Sequence, residues 1–272
     1  MRYLTIASLN TFGGVINLVD LAQRYKTIAN YFENKKVDII NFQEVFTYYH
    51  LYLLNKWLKN SYPFCTFQYS YLGPKGGLVT FTKVQTTKHY ASYTRNFSTA
   101  TKGSKLEFLT QRGILISKLK DLNITILNTH LTAVLNNDWS KDSIYFYELM
   151  SEVKQFQKVV RNNKNSKVLI ASGDFNIAKD SVLYQKLINI PTLYDPFKKD
   201  ILPTRHQHFS KLKRKTNCVD YIFIIGNTSL YKGEKKKYIF TRKTQLQNGN
   251  VDYISDHMGI YLRIHLGGKA SS

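Results

Sequence analysis

The chain has 272 residues, of which 43% are hydrophobic, enough for a sizeable core in one large domain or two small ones. Lys and Arg number 39 against 18 Asp and Glu, and the net charge of +21 favours nucleic acid, an anionic membrane face or phosphorylated substrates as partners. No apolar run reaches the ~18 residues of a membrane-spanning helix, and Cys65 and Cys218, expected to be small buried residues, are too few for a disulfide framework or a Cys-based zinc site.

The first part of the chain alternates predicted strands and helices. The N-terminus runs directly into a strand pattern without a signal-peptide layout, so we expect a cytosolic protein. Two strands end in polar residues, at Asn10 in Ser8-Leu9-Asn10-Thr11-Phe12 and at Glu44 in Phe42-Gln43-Glu44-Val45. The predicted elements are strands near 3–9 and 37–43 and helices near 19–34 and 47–59.

Residues 45–106 contain no acidic residue and mix lysines with aromatic residues. Basic residues neutralise phosphates and exposed aromatic rings stack on bases, whereas Tyr and Trp also suit a membrane interface. We expect half or more of these aromatic residues to lie in the core or on strand faces. They are Tyr48, Tyr49, Tyr52, Trp57, Tyr69, Tyr71, Tyr90 and Tyr93.

The middle of the chain is hairpin-like and leads into the clearest helical pattern. Strands are predicted near 64–70, 77–83, 86–93, 112–119 and 122–129, and the last of these runs into Asn128-Thr129-His130-Leu131. A helix is predicted over 142–162, capped by Asp142 or Ser143. Its apolar positions are Ile144, Tyr147, Val153 and Phe156, with Glu148, Glu152, Lys154 and Lys158 between them.

The last part of the chain again ends its strands in polar groups. Asp174 and Asn176 follow a buried strand near 167–173, and alternation places them on one side with Phe175 on the other. A helix is predicted near 180–189 and strands near 219–225, 237–243 and 258–265. Residues 203–217 form a basic loop in which Lys211, Lys213, Arg214 and Lys215 are predicted to contact backbone phosphates; a flexible solvated loop is the alternative.

The order of elements predicts an α/β sandwich of two face-to-face sheets with helices outside. Because polar strand ends recur from residue 10 to residue 257, a single domain over residues 1–266 is expected, with a flexible tail at 267–272. The surplus charge has a second explanation in a lysine-rich solvated surface, since charge alone names no partner.

Oxygen-rich side chains at the strand ends suit a hard divalent cation. A carboxylate at the end of a buried strand is costly unless it is paired or binds a metal. Magnesium uses one or two carboxylates and keeps several waters, so Glu44 with Asn10 and Asp256 would suffice. A salt-bridged surface position for Glu44 is the alternative.

Histidines supply candidate acid–base groups. His257, in Ser255-Asp256-His257, needs an orienting carboxylate, for which Asp220 in Val219-Asp220-Tyr221-Ile222 is the candidate. His130 would contact phosphoryl oxygens or protonate a leaving oxygen. Asp174 would orient an attacking water and Asn176 would bind a phosphoryl oxygen, whereas an Asx turn is the structural alternative for this pair.

Six motifs in this order resemble the endonuclease/exonuclease/phosphatase (DNase I-like) superfamily. The resemblance implies a four-layered α/β sandwich and Mg²⁺-dependent cleavage of P–O bonds; Mn²⁺ is the alternative metal. It also implies Glu44 and Asn10 at the metal, Asp174 and Asn176 at the water and phosphate, and the pair His257–Asp220 as acid–base group. His257 would lie next to Asp256, and His130 against the phosphate.

The motif details are similar to those of the sphingomyelinase and tyrosyl-DNA phosphodiesterase branches, whose members act on different substrates. We therefore expect a monomeric metal-dependent hydrolase, a nuclease on DNA or RNA. The alternatives are a phospholipid phosphodiesterase of sphingomyelinase type, a small phosphoester phosphatase and a non-catalytic nucleic-acid binder. Inositol phosphatases are disfavoured, because they carry a Cys-Asp-Arg signature where this chain has Cys218-Val219-Asp220.

Overall fold

A computed structural model describes residues 2–14, 20–35, 37–93, 111–206, 217–226, 231–246 and 248–266. Two six-stranded sheets dominate these residues, and each contains parallel and antiparallel pairs. The first sheet has the strand order β11-β14-β1-β2-β4-β3 and the second β5-β6-β7-β8-β10-β9, while β12 and β13 form a small separate pair.

The strands follow the alternating and continuous apolar runs of the sequence. Those of the first sheet are β1 (Arg2–Asn10), β2 (Ile39–Gln43), β3 (Phe64–Tyr69), β4 (Pro74–Thr82), β11 (Tyr231–Ile239) and β14 (Gly259–Leu266). Those of the second are β5 (Thr87–Ser92), β6 (Gly113–Leu119), β7 (Ile124–His130), β8 (Val168–Asp174), β9 (Leu193–Tyr194) and β10 (Asp220–Gly226). The short pair is β12 (Thr244–Gln245) and β13 (Val251–Asp252).

Four α-helices in the described residues cover the outer faces of the sheets. They are α1 (Leu21–Lys35), α2 (Tyr48–Leu58), α3 (Phe146–Asn162) and α4 (Val182–Ile188). The side chains of Thr47 and Ser181 cap α2 and α4, each accepting a hydrogen bond from a backbone N–H of the first turn. None of these helices is long and apolar enough to cross a membrane.

Three apolar layers separate four layers of secondary structure. Ile6, Ile126, Ile222 and Ile264 lie in the layer between the two sheets. One outer layer joins the first sheet to α1 and α2, and the other joins the second sheet to α3 and α4. The expected four-layered α/β sandwich is therefore confirmed.

The layer between the sheets becomes polar towards one edge. Gln43 Nε2 donates to Asn128 Oδ1 at 2.8 Å, and Asn128 Nδ2 donates to the carbonyls of Phe42 and Val79 at 3.1 and 3.0 Å. Asn41 Nδ2 donates to Ser172 Oγ at 2.8 Å. A buried amide without a hydrogen bond is energetically costly, so these bonds fix the relative position of the two sheets.

The beginning of α3 differs from the prediction. The helix starts at Phe146 after a series of turns, and neither Asp142 nor Ser143 caps it, because Tyr145 occupies the N-cap position without a side-chain bond. Ile144 and Tyr147, predicted on the apolar face, are exposed, whereas Glu152, predicted between the apolar positions, is buried. The buried face is Phe146, Leu149, Glu152, Val153, Phe156 and Val160.

The aromatic residues of the basic segment also differ from expectation. Of the eight, only Tyr93 is buried, and Tyr48, Tyr49, Tyr52, Tyr69 and Tyr71 are exposed. Most of them therefore remain available on the surface rather than filling the core. Cys218 is buried and Cys65 half-buried, and neither forms a disulfide.

Candidate active site

The topology brings the polar strand ends to one edge of the sandwich. Asn10 ends β1 and Glu44 follows the parallel neighbour β2, while His130 and Asp174 end the parallel pair β7 and β8 opposite each other. Asp220 begins β10 and is paired with Asp174, because these two strands are antiparallel. His257 lies just before β14, which runs antiparallel to β1, and so reaches the same edge.

Asp174 is the centre of this cluster. Its Oδ2 accepts a hydrogen bond from Asn10 Nδ2 at 3.1 Å and lies 3.3 Å from His130 Nε2 and 3.6 Å from His257 Nε2. Burial raises the pKa of Asp174, but the neighbouring His257 and His130 outweigh this effect and hold it below its usual range. Asp174 is therefore a buried carboxylate that is ionised at neutral pH.

His257 and Asp220 form the predicted pair. His257 Nδ1 lies 2.8 Å from Asp220 Oδ2, which leaves Nε2 directed towards Asp174. Burial lowers the pKa of His257, but the carboxylates of Asp220, Asp174 and Asp256 outweigh it and raise the value to about 10. The ring is thus protonated at neutral pH in this arrangement.

Glu44 and Asp256 lie on the other side of Asn10. Asn10 Nδ2 donates to Glu44 Oε1 at 3.1 Å as well as to Asp174. Asp256 Oδ1 is buried without a hydrogen-bond partner among the described residues, and Asp256 Oδ2 lies 3.8 Å from Arg205 Nη2. Burial, strengthened by the charge of Glu44 and opposed by His257 and Arg205, raises the pKa of Asp256 to about 6.

Asn176 is held beside His130 by the loop after β7. Its backbone N–H donates to Asp174 Oδ1 at 2.9 Å, which is the Asx turn expected as the structural alternative. Its Nδ2 donates to Leu131 O at 3.0 Å, and Trp139 Nε1 donates to Asn176 O at 2.7 Å. The Asx turn therefore exists, and it fixes the amide of Asn176 next to Asp174.

The backbone at the site takes unusual conformations. Glu44 and Asn176 have φ values of 63° and 50°, in the left-handed region that costs energy for a residue with a Cβ. Gly173 has a φ of 151°, and a Cβ there would lie 1.9 Å from Thr129 O. Glycine before Asp174 therefore lets β8 approach β7 closely enough to bring Asp174 beside His130.

The structure brings together all eight predicted catalytic and metal residues: Asn10, Glu44, His130, Asp174, Asn176, Asp220, Asp256 and His257. Four further candidates, Lys211, Lys213, Arg214 and Lys215, lie outside the described residues. Two further histidines, His50 and His206, are buried, and the backbone N–H of His206 donates to Asp256 O at 2.8 Å.

Several supporting residues were not predicted. Thr204 Oγ1 accepts from the backbone N–H groups of Val219 and Asp220 at 3.0 and 3.2 Å. Arg24 Nη1 donates to Thr11 O at 3.2 Å and to Ile254 O at 3.1 Å, and so ties the loop after Asn10 to the segment before Asp256. The signal for Arg24 was present, since it falls on the apolar face of α1, whereas no local signal marks Thr204.

The buried cluster has two chemically distinct parts. In the first part, Asp220 and His257 form a direct hydrogen bond. Together with Asp174 they offer three possible metal-ligand atoms that all lie within 4.8 Å of one another. Glu44, by contrast, accepts a hydrogen bond from Asn10, and Asp256, whose Oδ2 lies near Arg205 and His257, keeps its Oδ1 without a hydrogen-bond partner among the described residues. Such oxygen-rich sets are the ones that hard divalent cations prefer.

Comparison with known proteins identifies the fold. No protein-family profile matches the chain, and no curated protein matches it in sequence. Among solved structures, SmcL has a TM-score of 0.75 at 17% identity, over 96% of this chain and 98% of that one. TDP2 from D. rerio, complexed with a single-strand DNA product, has a TM-score of 0.73 at 16% identity, over 97% and 100% of the two chains.

Sphingomyelinase C from Streptomyces griseocarneus has a TM-score of 0.71 at 13% identity, over 97% of this chain and 99% of that one. At these identities the similarity establishes the fold alone. The chain therefore shares the DNase I-like fold of these structures, and what the motif resemblance implied about the fold is confirmed.

Proposed function

We propose that this chain is a divalent-metal-dependent phosphodiesterase that hydrolyses P–O bonds and acts as a nuclease on DNA or RNA. The observation that carries the proposal is the convergence of the six motifs at one buried edge, centred on Asp174. The likeness to TDP2 complexed with a single-strand DNA product supports it. Residues 1–266 form one catalytic domain in this proposal.

The metal site in this proposal consists of Glu44, Asn10 and Asp256. The fit rests on the buried, unpaired Oδ1 of Asp256 and on the raised pKa of that carboxyl, since both favour a cation beside Glu44. Mg²⁺ bound there, or Mn²⁺ in its place, would polarise a phosphoryl oxygen and offset charge on the leaving oxygen.

The remaining residues position the water and the phosphate. Asp174, ionised at neutral pH, orients the attacking water and accepts its proton, while protonated His257, held by Asp220, donates to the phosphoryl group. One amide hydrogen of Asn176 Nδ2 is directed at Leu131 O. In this proposal the second amide hydrogen is donated to a phosphoryl oxygen. His130 Nε2 stabilises the negative charge that develops there.

A phospholipid phosphodiesterase is the second candidate. SmcL and sphingomyelinase C match the chain as well as TDP2 does. In addition, the side chains of Tyr71 and Leu72 in the β3–β4 turn are 96% and 66% exposed. Such a tip suits a lipid surface. The net charge of +21 favours a long polyanion instead, and for this reason the nuclease is placed first.

The test is hydrolysis of supercoiled plasmid and of sphingomyelin side by side, with Mg²⁺, with EDTA and with the His257→Ala variant. We expect Mg²⁺-dependent plasmid nicking that falls by about 10²-fold or more in the variant. His265→Ala, a half-buried histidine on β14 outside the site, is the matched control and should retain the activity.

The outcomes separate the candidates. Lipid turnover without nicking would replace the nuclease with the phospholipid phosphodiesterase. Salt-dependent DNA binding that is indifferent to Mg²⁺, without hydrolysis of either substrate, would indicate the non-catalytic binder.

A further inference from the structure

A cleft with a volume of about 400 Å³ opens between α1 and α2, and none of the eight clustered site residues lines it. Its walls combine exposed or half-buried aromatic rings with lysines, and it is lined by Ala22, Gln23, Lys26, Tyr49, Tyr52, Leu53, Lys56 and Trp57. Tyr49 and Tyr52 are each more than half exposed. The cleft is therefore concave and aromatic but open to solvent.

Positive charge surrounds a single indole ring in this cleft. Lys26 Nζ and Lys56 Nζ lie 5.9 and 5.4 Å from the centre of the Trp57 ring. Helix α2 contains no acidic residue, and Glu33, in the last turn of α1, accepts a hydrogen bond from Ser61 Oγ. Asp20, which precedes α1, accepts hydrogen bonds from the side chains of Asn248 and Asn250. Among the described residues, no carboxylate forms an ion pair with Lys26 or Lys56.

The cleft is connected to the catalytic edge. Helix α1 follows the loop after Asn10, and α2 begins four residues after Glu44, so both N-terminal ends lie at that edge. Beneath the cleft, Tyr25 Oη and Thr11 Oγ1 are 2.8 Å apart, and the Tyr25 ring centre lies 5.5 Å from that of His50. The cleft therefore lies along the two helices whose N-terminal ends border that edge.

We propose that this cleft binds a single-stranded segment of nucleic acid, with a base stacked on the aromatic wall and its phosphates beside Lys26 and Lys56. Aromatic platforms with basic residues are the general means of binding single strands without sequence preference. The concave shape favours discrete bases and phosphates over a flat lipid surface. The inference rests on the proposed nuclease function and names its substrate class as single-stranded nucleic acid.

The chain offers a direct probe, because Trp57 and Trp139 are its two tryptophans. In a Trp139→Phe variant, Trp57 alone reports binding by fluorescence. Titration with a short oligo-dT in EDTA, at fixed low salt, requires no catalysis. We expect saturable quenching of Trp57 that weakens as salt is raised. Absence of quenching while the oligonucleotide binds elsewhere would overturn the inference.

Charge-matched variants test the residues. The triple variant Tyr52→Ala, Lys26→Ala and Lys56→Ala should weaken oligo-dT affinity by at least about tenfold, from lost stacking and phosphate contacts. The control is Tyr147→Ala, Lys154→Ala and Lys158→Ala, which removes the same residue types from the exposed face of α3. Equal weakening in both triple variants would mean that only net charge matters and would overturn the site.

Two further experiments, vesicle binding and Mg²⁺-dependent hydrolysis, separate the remaining possibilities. Vesicles of phosphatidylserine and phosphatidylcholine that shift Trp57 fluorescence when oligo-dT does not would assign the cleft to membranes and overturn the inference. Mg²⁺-dependent hydrolysis is measured separately on wild-type protein. Binding in the cleft without hydrolysis would refute the proposed function alone, whereas hydrolysis without Trp57 quenching would refute the cleft alone.

Discussion

Thr204 and Ser255 take no part in the proposed chemistry, yet each holds a reacting group in place. Ser255 Oγ donates to Asn10 O at 2.6 Å and accepts from the backbone N–H of His257 at 3.0 Å. Thr204 Oγ1 accepts from two backbone N–H groups at the start of β10. The relative position of Asn10, Asp220 and His257 therefore depends on two hydroxyl groups.

Replacing Thr204 with Val keeps its shape and removes the hydroxyl acceptor. Because the N–H groups of Val219 and Asp220 are then buried without a partner, we expect a loss of about 1–3 kcal/mol in the free energy of unfolding. Urea denaturation measures it. The Thr204→Ser variant keeps the oxygen and should lose less than half as much. Equal losses in both variants would assign the effect to the methyl group instead.

The residues of the buried cluster were easier to predict from the sequence than the residues that support them. Asn10, Glu44 and Asp174 were predictable because each follows a long apolar strand, where an isolated polar group is costly without a role. Arg24 and Glu152 lie on apolar helix faces, so a stricter reading of helical spacing would have predicted their burial. Thr204 was not predictable, since its partners are 15 and 16 residues away along the chain.

At the scale of elements, the contact between the two sheets is decided by amides as much as by apolar packing. Asn128 is buried in β7 and bonds to β2 and β4 of the opposite sheet. The end of β7 also carries His130. The position of one half of the site relative to the other thus depends on this amide.

The Asn128→Ala variant should be destabilised by about 2–4 kcal/mol, because it removes three buried hydrogen bonds between the two sheets and leaves a cavity in the layer between them. Denaturant unfolding checks this value. Asn34→Ala is the matched control on the exposed side of α1, where the Asn34 amide bonds only to Asn30 O, and should change stability by less than about 0.5 kcal/mol. A loss below 1 kcal/mol in Asn128→Ala would show that the sheets meet without it.

Helix α2 contains a pH-sensitive residue. Burial and the positive charge of Arg24 lower the pKa of His50 to about 4, although Glu44 opposes the shift. The unfolded chain takes up a proton at His50 near pH 6.5 while the folded chain does so near 4, so stability falls as pH drops through this window.

We expect the protonation of His50 to lower the free energy of unfolding by about 1–3 kcal/mol between pH 7 and pH 4. The His50→Gln variant should show a loss smaller by that amount when both proteins are unfolded by urea at each pH. The His89→Gln variant, on exposed β5, serves as the control. Identical pH profiles for wild type and His50→Gln would contradict the burial of a neutral ring.

The order of helices and strands was largely predictable, whereas some boundaries were not. Helix α3 begins later than the pattern indicated because the turns over 141–145 carry apolar residues that extend the helical spacing. The strand predicted near 237–243 instead spans Tyr231–Ile239, since pairing with β14 continues through its lysines. Pairing with β14 therefore decided the bounds of this strand, and the local sequence does not encode that pairing.

At the scale of the whole molecule, the surplus of positive charge is the main guide to the substrate. A protein that neutralises phosphates releases counterions, so its affinity for nucleic acid falls steeply with salt. The cleft and the basic loop are the two sources of such contacts that we propose. Only the cleft lies within the described residues.

Replacing Lys211, Lys213, Arg214 and Lys215 together with Ala should reduce the salt slope of nucleic-acid binding by about one for each lost phosphate contact. Titrations of oligonucleotide binding at several salt concentrations measure the slope. Replacing four exposed basic residues elsewhere, Lys154, Lys158, Lys164 and Arg161, provides the control. An unchanged slope in the loop variant would leave the loop as a solvated segment.

The most direct measurement of the central claim is a Mg²⁺ titration of oligonucleotide hydrolysis, comparing wild-type protein with Glu44→Gln. The wild type should be inactive in EDTA and recover with Mg²⁺, and the variant should require at least about tenfold more Mg²⁺ for half-maximal activity. The Glu33→Gln variant, in the last turn of α1, should behave as wild type. Hydrolysis in EDTA, or a Glu44→Gln titration that overlies that of the wild type, would contradict a magnesium-dependent site at this edge of the sandwich.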